Sequence, residues 1–288
     1  MAKKQKKLDE VSGVETTGHE WDGLEELNNP MPRWWLIVFF ITIVWSLWYW
    51  VIYPAWPTIS GATEGSMKWT SKKELQEQRA EIDARKEKFE KRFKTASLEE
   101  IKSDPELFQY AMAGGQAAFR DNCAACHGTG ATGNGQFPNL NDDDWLWGGS
   151  LEQIHKTISY GIRNGNDEAH NSAMPAFGKD GILTKDQIKE VAEFVININK
   201  NGVDKNHKAY QLFADNCVAC HGKNAEGNQD LGAPNLADAI WLYGSEPENV
   251  MQTIFYSRNG KMPVWKGRLS DSTIKQLTVY VHSLGGGN

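Results

Sequence analysis

The sequence predicts an all-α protein: one N-terminal transmembrane helix followed by two tandem copies of a small helical domain. Three observations carry this. An uncharged run of twenty residues, Trp34 to Tyr53, precedes a long polar chain. The motif Cys-x-x-Cys-His occurs as Cys123-Ala124-Ala125-Cys126-His127 and again as Cys217-Val218-Ala219-Cys220-His221. Around each copy the same landmarks return in the same order, which marks an internal repeat. A chain of 288 residues accommodates two small domains with attachments. The net charge of −6 is mild, and no basic block with interleaved aromatics is present, so a nucleic-acid partner is set aside.

Residues 1–33 are polar, with Lys3, Lys4, Lys6 and Lys7 near the start and acidic residues from Glu15 to Glu26. The stretch has neither a helical nor a strand period and reads as a flexible cytoplasmic tail. Pro30 and Pro32 stop any helix from running through. Residues 34–56 form the anchor. At about 1.5 Å per residue the uncharged run spans about 30 Å, the thickness of a bilayer core. Trp34, Trp35, Trp48, Tyr49, Trp50, Tyr53 and Trp56 gather towards its two ends, as interfacial anchors do. The run is too long and too far from the N-terminus for a cleaved signal peptide. A membrane-lipid partner follows. Arg33 before the span and Lys68, Lys72 and Lys73 after it leave the charge rule for orientation weak or contrary.

Residues 57–104 read as a linker containing a charged helix. Ser71-Lys72-Lys73-Glu74 has the form of a capping box. Fifteen of the 24 residues from Ser71 to Lys94 are charged, which predicts a mostly solvated helix acting as a spacer.

The repeats occupy residues 105–200 and 201–288. Phe119 stands four residues before Cys123, and Phe213 four before Cys217. Pro138-Asn139-Leu140 is matched by Pro234-Asn235-Leu236, and Trp145-Leu146-Trp147-Gly148 by Trp241-Leu242-Tyr243-Gly244. Arg163-Asn164-Gly165 matches Arg258-Asn259-Gly260, and Met174-Pro175-Ala176-Phe177 matches Met262-Pro263-Val264-Trp265. Each repeat closes with an amphipathic helix, one carrying Ile188, Val191 and Val195, the other Ile274, Leu277 and Val281.

Cys-x-x-Cys-His is the attachment signature of c-type haem: two thiols form thioethers and the adjoining histidine ligates the iron. The four cysteines all fall in the two motifs. A redox pair does not require the histidine twice, and a zinc ribbon leaves both histidines unexplained. Two covalently bound haem c groups are therefore expected, on Cys123 and Cys126 and on Cys217 and Cys220, with His127 and His221 on iron. Because thioether attachment takes place outside the bacterial cytoplasm, the haem domains are expected in the periplasm, with the N-terminus inside a single-pass inner-membrane protein.

An iron that only passes electrons needs a sixth ligand. Met174 and Met262 are the candidates, each followed by a proline that stiffens its loop. Met112 and Met251 fall in helices and suit the core. Separations of 47 residues (His127 to Met174) and 41 (His221 to Met262) suit pairing within each repeat, which is the expectation adopted; crossed ligation leaves the ligand list unchanged. His/Met ligation makes both haems low-spin, fairly oxidising carriers. Arg163 and Arg258 suit either haem propionates or surface ion pairs. Trp145, Trp241, Tyr160 and Tyr256 suit either a haem edge or a small core. His155, His207 and His282 read as solvent or core histidines, and His170 as an exposed residue of an insertion, 166–173, that the second repeat lacks. The first repeat carries 7 basic and 12 acidic side chains, net −5, against 8 and 8 in the second, so an acidic face that steers a basic donor is expected on the first.

The order of features in each repeat resembles the class I cytochrome c fold, over roughly residues 105–200 and 203–284. In that family the helix leading to Cys-x-x-Cys-His crosses the C-terminal helix. The resemblance implies crossings of Gly115 and Phe119 with Phe194, and of Ala209 and Phe213 with Tyr280, the second slightly wider because Ala209 replaces the usual glycine. Tail, anchor, linker and repeats together resemble subunit III of cbb3-type cytochrome c oxidases, the CcoP or FixP family. The residues that carry this are Asp22-Gly23-Leu24-Glu25-Glu26, Asn29-Pro30-Met31-Pro32-Arg33-Trp34-Trp35, Trp145 to Gly149 and the two Met-Pro sites. The resemblance implies an electron-transfer subunit, without catalytic residues of its own. It would accept electrons from a donor cytochrome c or the bc1 complex. They pass on to a mono-haem cytochrome subunit and a catalytic haem-copper subunit, where oxygen is reduced to water and protons are pumped. Two other classes compete: an anchored di-haem carrier for a different redox enzyme, and a di-haem peroxidase. The proline-rich approach to the membrane helix opposes the first, and two Met-Pro ligands oppose the second, which needs an open iron.

Overall fold

The computed structural model describes residues 7–285, the side chain of Lys88 excepted; Lys3, Lys4 and Lys6 of the tail and the last three residues lie outside that range. The chain forms two compact units that divide between Arg85 and Lys86.

In the first unit the tail is more ordered than its composition predicts. Strands β1 (Thr16–Trp21) and β2 (Leu24–Leu27) pair antiparallel, Trp21 opposite Leu24. Asp22 and Gly23 turn the hairpin with φ of 50° and 87°. Both central residues of such a turn need positive φ, and Asp-Gly tolerates it. That dipeptide is the local signal for the hairpin, which no hydrophobic period reveals.

Helix α1 (Arg33–Ile52) begins directly after Pro32, and none of its residues is buried. Its two aliphatic hydroxyls donate within the helix, Thr42 Oγ1 to Phe39 O at 2.7 Å and Ser46 Oγ to Thr42 O at 2.7 Å. Neither of these mid-span hydroxyls is thus left to be solvated by lipid. A small ribbon follows, β3 (Pro57–Thr58) with β4 (Gly61–Ala62). The charged helix α2 spans Ser71–Thr95. Thr70 Oγ1 accepts from Lys73 N at 3.1 Å, so the cap lies one residue before the Ser71 expected for it.

The second unit is all-helical: α3 (Leu98–Ser103), α4 (Pro105–Asn122), α5 (Ala124–His127), α6 (Leu151–Tyr160), α7 (Lys185–Asn201), α8 (Tyr210–Asn216), α9 (Val218–His221), α10 (Pro247–Tyr256) and α11 (Asp271–Gly285). Ser97, Ser150 and Thr184 each close a capping box ahead of α3, α6 and α7. From Lys86 on, α2 is not solvated all round. Phe93 is fully buried with Ile101, Leu107 and Val279, and Glu90 accepts hydrogen bonds from Tyr110 Oη at 2.6 Å and Ser272 Oγ at 2.9 Å. Lys275 Nζ donates to carbonyls at the end of this helix, Lys94 O in its last turn and Ala96 O just beyond it, at 3.0 and 2.7 Å. Two phenylalanines among the charges, Phe89 and Phe93, are what the polar average concealed.

The helix crossings differ from the expectation. Phe119 of α4 meets Tyr280 of α11, ring centroids 5.5 Å apart, and Phe194 of α7 meets Phe213 of α8 at 5.4 Å. A side chain on Gly115 would collide with Gln276 O and the Cβ of Tyr280, so the glycine is what lets α4 and α11 touch. The C-terminal helices are therefore exchanged between the repeats. One core joins Phe119, Ile154 and Ile158 of the first repeat to Trp265, Ile274, Leu277 and Val281 of the second. The other joins Phe177, Ile188, Val191 and Phe194 of the first repeat to Ala209, Phe213, Val250 and Ile254 of the second. Helices α7 and α11 present the same apolar spacing, so periodicity fits either pairing and does not reveal the exchange.

Candidate functional site

Each Cys-x-x-Cys-His motif is one helical turn. Cys123 ends α4 and Cys217 ends α8, and the short helices α5 and α9 carry the second cysteine and the histidine. None of the four cysteines is paired in a disulfide. Burial, helped by the neighbouring cysteine, pushes Cys123 up to about 11 and Cys217 up to about 12. A redox dithiol works through a depressed pKa, and burial shifts these two thiols the other way.

Both imidazoles are oriented alike. His127 Nδ1 lies 3.1 Å from Pro138 O and His221 Nδ1 lies 3.0 Å from Pro234 O. A carbonyl can only accept, so Nδ1 carries the proton and Nε2 keeps its lone pair for a metal. Burial pulls both histidines below the usual imidazole range, outweighing the proline carbonyls, which act the other way. The result is a neutral ring, the state that ligates iron. Pro138 and Pro234, matching landmarks of the two repeats, thus orient the two histidines through their carbonyls; their recurrence eleven and thirteen residues after the histidines is the sequence signal for it.

The methionine loops follow the exchanged helices. Met262 packs with Cys123, Ala124, Leu140 and Trp145 on the core of Phe119 and Trp265. Met174 packs with Cys217, Val218, Leu236 and Trp241 on the core of Phe177 and Phe213. Each loop is tied to the helix end of the other repeat. Ile162 and Met262 exchange backbone hydrogen bonds at 3.0 Å each, and Trp265 N and Lys266 N donate to Ser159 O. Gly178 N and Lys179 N donate to Phe255 O, and Ser257 Oγ donates to Met174 O. Gly161, at φ 73°, has no room for a Cβ because Met262 O and Pro263 O pass beside it. Thiols, neutral imidazole, thioether and apolar wall on each side make up the donor set of a c-type haem. They fit that group twice.

The remaining residues sort as follows. His170 is half-buried, stacked on Trp147 at 4.2 Å and 3.0 Å from Thr157 Oγ1, so the inserted loop folds back on the protein and is not simply exposed. His207 stacks on Phe194. Trp145 lies against the first core and its Nε1 donates to Gly285 O at 3.0 Å, while Trp241 lies against the second. Tyr256 is exposed, and Tyr160 accepts from Lys266 Nζ. Arg258 donates back into the preceding helix, α10, to Asn249 O and Thr253 Oγ1.

The acidic residues are shared between repeats. Asp143, Asp144, Asp238 and Glu226 line an open cleft of about 390 Å³. Burial, then Asp238, Asp142 and Asp143, push Asp144 up to about 6. The fold thus prefers this carboxyl protonated, so its contribution is most favourable below its ordinary pKa and is lost as pH rises through about 6. Asp144→Asn is expected to raise the melting temperature at neutral pH and to change it little at pH near 4, as thermal unfolding at the two pH values would report.

The chain matches two family models. One, described as the N-terminal domain of cytochrome oxidase-cbb3, FixP, covers residues 13–60. The other, described as cytochrome c oxidase, cbb3-type, subunit III, covers residues 111–195 and again 204–281. It is 52% identical over 284 residues to the cbb3-type cytochrome c oxidase subunit FixP of Bradyrhizobium sp. (strain ORS 278), covering 97% of this chain and 98% of that one. It is 49% identical over 275 residues to the subunit CcoP of Cereibacter sphaeroides, covering 94% and 95%. To the CcoP of Azospirillum brasilense it is 47% identical, covering 98% and 99%.

Proposed function

Because the chain belongs to the FixP/CcoP family of cbb3-type cytochrome c oxidase subunits, we propose that it is the anchored di-haem electron-transfer subunit of such an oxidase. It takes electrons from a donor cytochrome c or the bc1 complex and delivers them, by way of the mono-haem subunit, to the haem-copper subunit that reduces oxygen and pumps protons. Helix α1 holds it in the inner membrane, tail inside and repeats in the periplasm, because haem attachment takes place there. When bound, each haem c supplies a one-electron iron couple, with a potential raised by methionine ligation.

The observation that carries this reading is that each Cys-x-x-Cys-His turn faces a Met-Pro loop. The packing supports crossed ligation: His127 with Met262, and His221 with Met174. The prolines hold each imidazole with Nε2 free, and Gly161 lets the Met262 loop close. A closed sixth position suits a carrier and opposes a peroxidase. The cleft shared by Asp144 and Asp238 suits a basic donor at the seam between the repeats.

Purification through this chain in mild detergent is expected to bring a haem-copper subunit with it; recovery without one would overturn the assignment. Within that complex, Met174→Leu and Met262→Leu should each remove one haem's share of the near-infrared sulfur-to-iron charge-transfer band. Adding Cys123→Ala and Cys126→Ala identifies the haem. With only the second haem left, Met174→Leu should abolish the band and Met262→Leu should spare it. The reverse result would restore pairing within each repeat.

A further inference from the structure

The two methionine loops meet at one side chain. Arg163 Nε donates to Ser172 O at 2.7 Å, and Arg163 Nη1 donates to Gly260 O at 2.9 Å. Ser172 lies two residues before Met174, and Gly260 two residues before Met262. One guanidinium therefore bridges equivalent points of both loops. Its own backbone is fastened in the same place, Arg163 N to His170 O at 2.9 Å, while Asn164 Nδ2 donates to Met262 O at 2.9 Å. Arg163 sits at φ 48°, a left-handed conformation that a non-glycine residue adopts at a local cost, held when its surroundings over-determine it. The side chain also lies over the ring of Trp147, 5.6 Å from its centroid, which limits its freedom.

The matching residue does something else. Arg258 lies over Tyr243 as Arg163 lies over Trp147, yet its hydrogen bonds stay within α10 and the turn that follows it. The repeat symmetry thus breaks at the position where the two loops cross. Two different nitrogens of Arg163, Nε and Nη1, are spent on loop carbonyls, a spread that a planar guanidinium fixes and a single ammonium nitrogen does not.

We propose that Arg163 is a positioning residue shared by both axial methionines, a clamp that couples the ligand geometry of the two haems through a single side chain. This rests on the assignment of Met174 and Met262 as axial ligands. Substitution should then disturb both irons together, through the two methionine loops.

The test uses the full chain in its membrane complex, with the near-infrared charge-transfer band and the resolved midpoint potentials of the two haems as readouts. Arg163→Ala is expected to weaken the band of both haems and to move both potentials in the same direction. Arg163→Lys, which keeps the charge and loses the fork, should give the same pattern at smaller size. Arg258→Ala should leave the haem that uses Met262 unmoved. Should Arg163→Ala fail to assemble, Arg163→Lys decides by the same criteria. A response confined to one haem, or none in Arg163→Lys, overturns the clamp, as does an equal response of both haems to Arg258→Ala. Met174→Leu and Met262→Leu run alongside: if each removes one haem's share of the band, the ligand assignment stands whatever Arg163 does, and if neither does, that assignment is what has failed.

Discussion

A cut in the connection between α7 and α8, at a protease site placed in exposed Lys205–Asn206, is expected to leave the two halves of the chain associated. Two cores would be severed only in sequence. Ile274, Leu277 and Val281 of α11 stay buried against Phe119, Ile154 and Ile158, and at about 1.5–3 kcal/mol for each buried side chain they hold on the order of 5–9 kcal/mol. On the other side Ile188, Val191 and Ile198 of α7 remain buried with Phe213, Val250 and Ile254. Tandem domains that each kept their own C-terminal helix would behave as beads, and the cut would release the second one. Size-exclusion chromatography of the cleaved, haem-loaded protein in detergent separates the cases: co-elution is expected, and release of a C-terminal fragment would contradict the exchanged helices.

Phe119→Ala is expected to cost about 3–5 kcal/mol, the range for emptying an aromatic site in a packed core. Phe119 is almost fully buried, and the space it leaves is walled by α6 and α11, whose helices are held elsewhere and cannot collapse into it. The partner of this loss is specific. In a double-mutant cycle on denaturant unfolding, Phe119 with Tyr280 should show a coupling of about 0.5–1.5 kcal/mol, while Phe119 with Phe194 should be additive. Phe213 should couple with Phe194 in the same way. Coupling of Phe119 to Phe194 would place α7 back on α4.

Features encoded within a few residues were open to reading. The attachment turns, the apolar run of α1 and the Met-Pro loops depend on spacings that do not change with the surrounding fold. Others were local but easily overlooked. Asp22-Gly23 needed only a turn rule, and Phe89 and Phe93 needed attention to two residues in place of an average over twenty-four. Pro138 and Pro234 were visible as landmarks, but a carbonyl acceptor carries no sequence signature, since every residue has one. The same holds for Arg163, whose targets are Ser172 O and Gly260 O, backbone atoms of residues far apart in sequence.

By itself the sequence determined the apolar anchor, the repeated Cys-x-x-Cys-His motif and the two Met-Pro loops proposed to serve it, because each of these is written in contiguous spacing. Which methionine stands beside which motif was decided only by the tertiary structure. The repeats present nearly the same pattern on α7 and α11 and on α4 and α8, so periodicity cannot rank the two pairings. The choice falls to the crossing of the connections after α6 and α10, where Ile162 bonds Met262, Ser257 bonds Met174 and Arg163 bonds both loops.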